Sequence, residues 1–292
     1  MQLQVANKKK TKIKMALQGP SGSGKTKDAL FIAFGLCGRW DKIAVIDSEN
    51  RSADLYADLG NYFVLPFIAP FSPERYMQAI TVCINAAIEV VIIDSLTHEW
   101  EFILDTHSGM VGNSFTNWSK LTPRHNAFVQ LLLQADVHII GTMRSKQEYV
   151  LSEKNGKQVP EKVGMKGIQR EGMDYEFTLV LELDIALHAK ATKDRTQLFF
   201  GKPEFIPTPE TGKMIIEWCN TGTEQVVNVT KEEVIKSIAA CHTHDELLSL
   251  YNSFPVYQTE LLTEFTKRRQ EIETIIFNQQ KAIQNGTLAN QQ

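Results

Sequence analysis

Gly19-Pro20-Ser21-Gly22-Ser23-Gly24-Lys25-Thr26 is the stretch on which the reading of this chain turns. It spells G-x-x-x-x-G-K-S/T, the Walker A pattern. Glycines let the backbone curl tightly enough for successive N–H groups to point inward at an anion. In that reading the eight residues cradle a phosphate chain. Lys25 reaches the β- and γ-phosphates, and the Thr26 hydroxyl ligates Mg²⁺. The flanks fit: Ile13-Lys14-Met15-Ala16-Leu17 reads as a strand entering the loop, and Asp28-Ala29-Leu30-Phe31-Ile32-Ala33-Phe34 as an apolar helix leaving it. A helix that starts at the loop adds the positive end of its dipole to the site.

Working outward, Lys42-Ile43-Ala44-Val45-Ile46-Asp47 is an apolar run ending in polar residues, the pattern of a buried parallel strand. Tyr62-Phe63-Val64-Leu65 reads as a short strand. Pro73 to Ala87 has helical spacing at Tyr76, Ile80 and Ile84, with Pro73 suited to a helix start. Val90-Val91-Ile92-Ile93-Asp94-Ser95 sets four branched apolar residues before a carboxylate, as a Walker B strand does. Asp94 at its C-terminal edge would hold Mg²⁺ directly or through water. Thr97 to Thr106 and Pro123 to Gln134 read as helices on either side of a polar, glycine-containing segment. Val137 to Met143 reads as the next strand. Trp100 and Phe102 beside Glu99 and Glu101 read as core alternating with surface. Strands alternating with helices predict an α/β fold, a mostly parallel central sheet with helices on both faces.

Gln147 to Lys162 reads as a projecting hairpin around Lys154-Asn155-Gly156, or as a mobile loop. From Arg144 to Arg170 basic residues outnumber acidic ones by seven to three, against a net charge of −3 for the chain. Phe177 to Leu183 is a further strand. Near Thr221 the texture changes to polar amphipathic patterns: Lys231 to Ala240, Asp245 to Ser253 and Thr259 to Gln280. The domain reading is a basic leader over 1–11, a core over 12–222 and a helical tail over 223–292. The lysines at 8, 9, 10, 12 and 14 read as a solvated leader or as an electrostatic arm.

The 292 residues, 43% of them apolar, suffice for one large domain with a small appendage. Four scattered cysteines without a C-x-x-C pair fit reduced thiols and a cytoplasmic location. No apolar h-region and no run near the ~20 residues that span a bilayer are present, so neither a secretory signal nor a membrane is expected. Cys241-His242-Thr243-His244 lacks a second ligand cluster and reads as a helix–helix connection.

Walker A, Asp47-Ser48-Glu49 and Asp94-Ser95 stand in the order and rough spacing of a RecA-like ATPase core, which the chain resembles over about residues 12 to 218. Ile46-Asp47-Ser48-Glu49 with Leu55-Tyr56-Ala57 and Leu59-Gly60 is similar to the segment after the second strand of RecA. Val91-Ile92-Ile93-Asp94-Ser95 ends in Asp-Ser as in RecA, not in the Asp-Glu usual among AAA⁺ proteins. Lys193-Asp194-Arg195 looks like the K-x-R element of KaiC-type and replicative-helicase-type members. With Gln169-Arg170-Glu171-Gly172-Met173-Asp174-Tyr175-Glu176-Phe177, it is similar to phage-encoded RecA-like AAA-domain proteins, including Sak-type single-strand annealing ATPases.

The resemblance implies a P-loop ATPase that uses ATP and Mg²⁺. Glu49 would orient the attacking water, and Lys193 and Arg195 would reach the γ-phosphate of a neighbouring subunit. It implies a homo-oligomer, ring or filament, in the cytoplasm of a bacterial host, alongside other recombination or replication proteins. Two segments lie where RecA contacts DNA: His107 to Trp118 and Arg144 to Lys166. Arg144, Lys146, Lys154, Lys157, Lys162 and Lys166 would track phosphates of single-stranded DNA, with Tyr149 or Trp118 stacking on bases. Where RecA places a γ-phosphate-sensing Gln, this chain has Gly141-Thr142-Met143-Arg144, and Thr142 or Arg144 is the substitute. Two other readings stay open: a KaiC-like, nucleotide-switched assembly module that binds protein partners without DNA, and a small-molecule kinase, whose P-loop Gly-Pro-Ser-Gly-Ser-Gly-Lys also resembles.

Overall fold

The computed structural model describes residues 8–154, 157–222, 231–254 and 257–289; of 147–154, 157–166, 253 and 276–289 it describes the backbone alone. Contacts divide the chain into two units, Met1–Glu224 and Gln225–Gln292.

The first unit is built on β1 (Lys14–Gly19), β2 (Ile43–Asp47), β3 (Phe63–Pro66), β4 (Val90–Asp94), β5 (His138–Lys154), β6 (Lys157–Gly167), β7 (Leu179–Leu183) and β8 (Ala189–Asp194). Seven strands lie in the order β3-β2-β4-β5-β1-β7-β8, and β6 pairs with β5 alone. The pairings from β3 through to β7 are parallel, and β8 closes the edge antiparallel to β7. β1, β2 and β4 are buried along their whole length because both faces of the sheet are covered. Met15, Leu17, Val90 and Ile92 face the side of α1 (Lys25–Cys37) and α6 (Pro209–Asn220). Ala16, Val91 and Ile93 face the side of α2 (Pro73–Asn85) and α4 (Ser114–Gln134). The fold is the mixed α/β architecture of a P-loop NTPase.

Several expectations need correction. The helix expected from Pro123 begins at Ser114, with Pro123 in its interior. Asn113 supplies the N-cap: its side chain accepts from Phe115 N at 2.8 Å and Thr116 N at 3.3 Å. Trp118 is therefore a helical residue, stacked on His107 at 4.2 Å and on Trp100 at 5.8 Å. α3 (Thr97–Ser108) runs past the expected end. Its Glu99 is not on the surface: it is fully buried, with His125 Nδ1 at 3.0 Å. The basic leader is not wholly solvated either. Lys14 is buried and donates to Ala135 O at 2.6 Å and to Val137 O, and burial brings its pKa down to about 8. Lys8 donates to Trp218 O at 3.1 Å. Residues 1–7 lie outside the described residues.

The second unit holds α7 (Lys231–Ala240), α8 (His244–Ser253) and α9 (Leu262–Ala289) around Val234, Ile238, Leu247, Leu261, Phe265 and Ile272. α5 (Met173–Glu176) is a single turn in the first unit. Thr243 and Glu246 form a capping box at the start of α8, in the connection that follows Cys241 and His242. Among the described residues no group of three or more His, Cys, Asp or Glu could hold a metal ion. Among them, too, no helix is long and apolar enough to cross a membrane.

Candidate active site

β1 ends at Gly19 and α1 begins at Lys25, and the loop between them needs residues that tolerate a left-handed backbone. Gly22 and Gly24 supply it, with φ of 82° and 83°. Gly24 is the N-cap of α1, so the helix opens directly from the loop with its first N–H groups unpaired. Lys25 Nζ folds back over the loop and donates to Gly19 O at 3.0 Å and Pro20 O at 2.7 Å. Burial holds its pKa below the ordinary lysine value against the pull of Asp94 and Glu49. The ammonium, both carboxylates and the loop share one electrostatic neighbourhood.

Asp94 ends β4 and is 2% exposed. Thr26 Oγ1 donates to its Oδ2 at 2.6 Å, and Thr142 Oγ1 donates to its Oδ1. Burial raises its pKa, while those hydroxyls oppose the rise. A carboxylate and a hydroxyl side by side, with two hydroxyls instead of a cation as hydrogen-bond partners, are the hard oxygen donors that Mg²⁺ takes. The residues present fit that ion.

Asp47 ends the neighbouring strand β2, opposite Asp94 in register. Its carboxylate accepts from Glu49 N and Ala53 N, both at 2.8 Å, which fixes the turn that carries Glu49. Glu49 accepts from Ser95 Oγ at 2.9 Å and from Arg144 Nε at 3.0 Å, with Arg144 Nη2 on its second oxygen. His98 Nε2 lies 3.7 Å away. Burial would raise the Glu49 pKa, but the donors from Arg144 and Ser95 outweigh it and hold the carboxyl below its usual range. Ser48 ties the two strand ends together: its hydroxyl accepts from Ser95 N at 2.9 Å and donates to Asp94 O at 3.1 Å, with His98 Nδ1 at 2.8 Å.

The structure thus brings Gly19 to Thr26, Glu49, Asp94 and Thr142 to one strand edge. Arg144, expected on the hairpin with the DNA-tracking residues or as a phosphate sensor, stands at this edge on Glu49. Lys146 is exposed at the root of the β5–β6 hairpin. The side chains of Tyr149, Lys154, Lys157, Lys162 and Lys166 lie outside the described residues, as do residues 155 and 156. Lys193 lies on β8 and donates to Asp174 O at 3.1 Å and Tyr175 O. Arg195 follows the end of the strand and is exposed. Sequence reasoning missed Ser48, Ser95 and His98, each visible only as a polar residue next to an acidic motif. It also missed Asp28, a 5% exposed carboxylate in the first turn of α1 whose Oδ2 has no hydrogen-bond partner among the described residues.

A family model described as an AAA domain matches residues 11–206. No curated protein matches the chain.

Proposed function

The chain belongs to the AAA domain family, and on that premise we propose that it is an ATPase: it binds ATP with Mg²⁺ at the β1–α1 loop and hydrolyses it. The observation that supports this best is the meeting of Thr26 with Asp94 beside Lys25 and Glu49, groups contributed by α1, β4 and the turn after β2. In this reading the loop N–H groups and the α1 N-terminus bind the phosphates. Lys25 gives up its two loop carbonyls for the β- and γ-phosphates. Thr26 and Asp94 would hold Mg²⁺, which when bound supplies charge neutralisation on the phosphate oxygens. Glu49 holds the attacking water, whose oxygen bonds to the γ-phosphorus. The bond to the β–γ bridging oxygen breaks, leaving ADP, and the water proton passes to Glu49 or to a phosphate oxygen.

We further propose that the protein oligomerises, that Arg195 acts at a neighbour's γ-phosphate, and that the assembly works on single-stranded DNA in phage-type recombination or annealing. The resemblance of the K-x-R element and the local positive charge of the β5–β6 hairpin support this. A KaiC-like assembly switch that binds protein partners without DNA is the alternative. It is favoured by the absence of the RecA-type Gln in β5, where Arg144 stands on Glu49 instead.

The test is ATPase rate against protein concentration, with and without single-stranded DNA, at two salt concentrations. A rate that rises faster than linearly, is stimulated by DNA and loses that stimulation in salt supports the DNA reading. A concentration-dependent rate indifferent to DNA supports the switch. No Mg²⁺-dependent turnover under any of these conditions refutes the ATPase.

A further inference from the structure

His98 has no task in the ATPase reading, yet its ring is held against the carboxylate that has one. It lies in the first turn of α3, with its side chain 12% exposed. Phe71 stacks on the ring, centroids 4.9 Å apart and planes 20° apart, which fixes its orientation. The two nitrogens face different groups. Nδ1 lies 2.8 Å from Ser48 Oγ, and Nε2 lies 3.7 Å from Glu49 Oε1.

Ser48 decides what Nδ1 can be. The hydroxyl accepts from Ser95 N at 2.9 Å and donates its one proton to Asp94 O at 3.1 Å. A hydroxyl whose proton is already donated can only accept from a ring nitrogen, which puts the ring N–H on Nδ1. The neutral ring then turns a bare Nε2 toward Glu49. Two acceptors face each other there, at a separation too long for a hydrogen bond. Glu49 is meanwhile a weak base. Burial works to raise its pKa, but the donors from Arg144 and Ser95 outweigh it and hold the carboxyl below its usual range. A proton taken from water rests poorly on such a group, and imidazole is a stronger base than a carboxylate.

Around the ring, Arg144 from β5 engages Glu49, and Asp94 from β4 meets Ser48 through its backbone carbonyl. Tyr76 from α2 donates to Ser95 O at 2.9 Å, with its oxygen 3.4 Å from Ser48 Oγ. Glu99, the next residue of α3, pairs with His125. We propose that His98 is the proton acceptor behind Glu49: the proton leaving the attacking water passes to Glu49, then to His98 Nε2, and from the imidazolium to solvent. The inference rests on the ATPase reading of the site. The water oxygen bonds to the γ-phosphorus, one proton moves in two steps, and Glu49 returns to a carboxylate ready for the next water. His98 touches neither nucleotide nor water. It acts through Glu49, as a positioning residue for the proton.

The experiment is single-turnover ATP hydrolysis by the full chain with Mg²⁺, from about pH 5 to about pH 9, across the range in which imidazole changes charge. His98→Asn offers Ser48 an amide N–H and cannot take a proton. It is expected to bind fluorescent ADP and a fluorescent non-hydrolysable ATP analogue as the wild type does. Its hydrolysis should be at least about tenfold slower, at or beyond the lower edge of what a lost proton acceptor costs. It should also lose the acid limb of the wild-type profile, where a protonated ring cannot accept. His98→Ala opens a space beside Phe71, and added imidazole is expected to restore its rate severalfold. Wild-type speed in His98→Asn overturns the inference. So does a slowed variant that keeps the wild-type pH profile while His98→Ala gains nothing from imidazole, for the ring is then structural. A wild type that never hydrolyses ATP, or a Lys25→Ala variant that binds and turns over normally, brings down the site reading and this inference with it. Normal wild-type turnover beside either adverse His98 result brings down this inference alone.

Discussion

Thr26 Oγ1 donates a 2.6 Å hydrogen bond to Asp94 Oδ2 across 68 residues of sequence, closing the first turn of α1 onto the end of β4. The pair places a hydroxyl and a carboxylate where a hard cation beside the phosphates would find them. Asp94→Asn keeps the shape and removes the charge. It should cost more than about a hundredfold in Mg²⁺-dependent turnover, the scale of losing electrostatic stabilisation at a phosphoryl group. Nucleotide binding in chelator should change by no more than a few fold. An unchanged Mg²⁺ half-saturation would remove Asp94 from the metal site.

Asp28 gives a pH signature. Burial pushes its carboxyl from 3.8 up to about 7, with Lys27 opposing weakly. The folded pKa is raised, so ionisation favours the unfolded chain. The penalty is absent below the unfolded value, grows as pH rises between the two values, and is complete above about 7. A shift of that size is worth up to about 4 kcal/mol. Asp28→Asn should therefore stabilise the fold more at pH 8 than at pH 5, read by denaturant midpoints. An equal gain at both would show that the carboxyl ionises freely in the fold.

Close packing of α1 on α6 rests on two glycines. A Cβ on Gly35 would fall 1.9 Å from Pro209 O and 2.8 Å from Gly212 Cα, whereas a Cβ on Gly38 meets nothing within 4 Å. Gly35→Ala should thus cost about 3 kcal/mol or more through overpacking. Gly38→Ala should cost only about 1 to 2 kcal/mol, for its left-handed backbone. Comparable losses in the two variants, measured by urea unfolding, would contradict the tight crossing.

What the sequence made legible was local. The loop from Gly19 to Thr26 carries its own backbone demands, and Val90 to Asp94 announces a buried strand ending in a charge. Residues whose role depends on a distant partner stayed hidden. Glu99 looked like surface because its partner His125 lies on another helix. The start of α4 was lost because Ser114 to Lys120 is polar apart from Phe115 and Trp118 and Pro123 resembles a first-turn proline; only the Asn113 cap gave it away. Arg144 was read as a DNA-tracking residue or a phosphate sensor, since nothing in the text around it points to a carboxylate 95 residues back.

The K-x-R pair separates in the structure, and that sharpens its test. Lys193 Nζ is engaged with the carbonyls of Asp174 and Tyr175, at the end of the short helix α5, so its charge is committed within its own subunit. Arg195 is exposed, while its backbone N–H is tied to Thr178 O at 2.9 Å, which holds the base of the side chain at the sheet edge. If a neighbour's phosphate is reached from here, Arg195 reaches it and Lys193 braces the segment. Arg195→Ala should then leave nucleotide affinity unchanged and lower turnover by at least tenfold, within the range for a lost phosphate-neutralising arginine. Mixed with Glu49→Gln, it should regain activity, because an oligomer of both contains interfaces with an intact Glu49 on one side and an intact Arg195 on the other. Lys193→Ala should lower turnover less. Mixed oligomers, verified by tagged co-purification, that stay as inactive as the parents would place Arg195 outside any shared site.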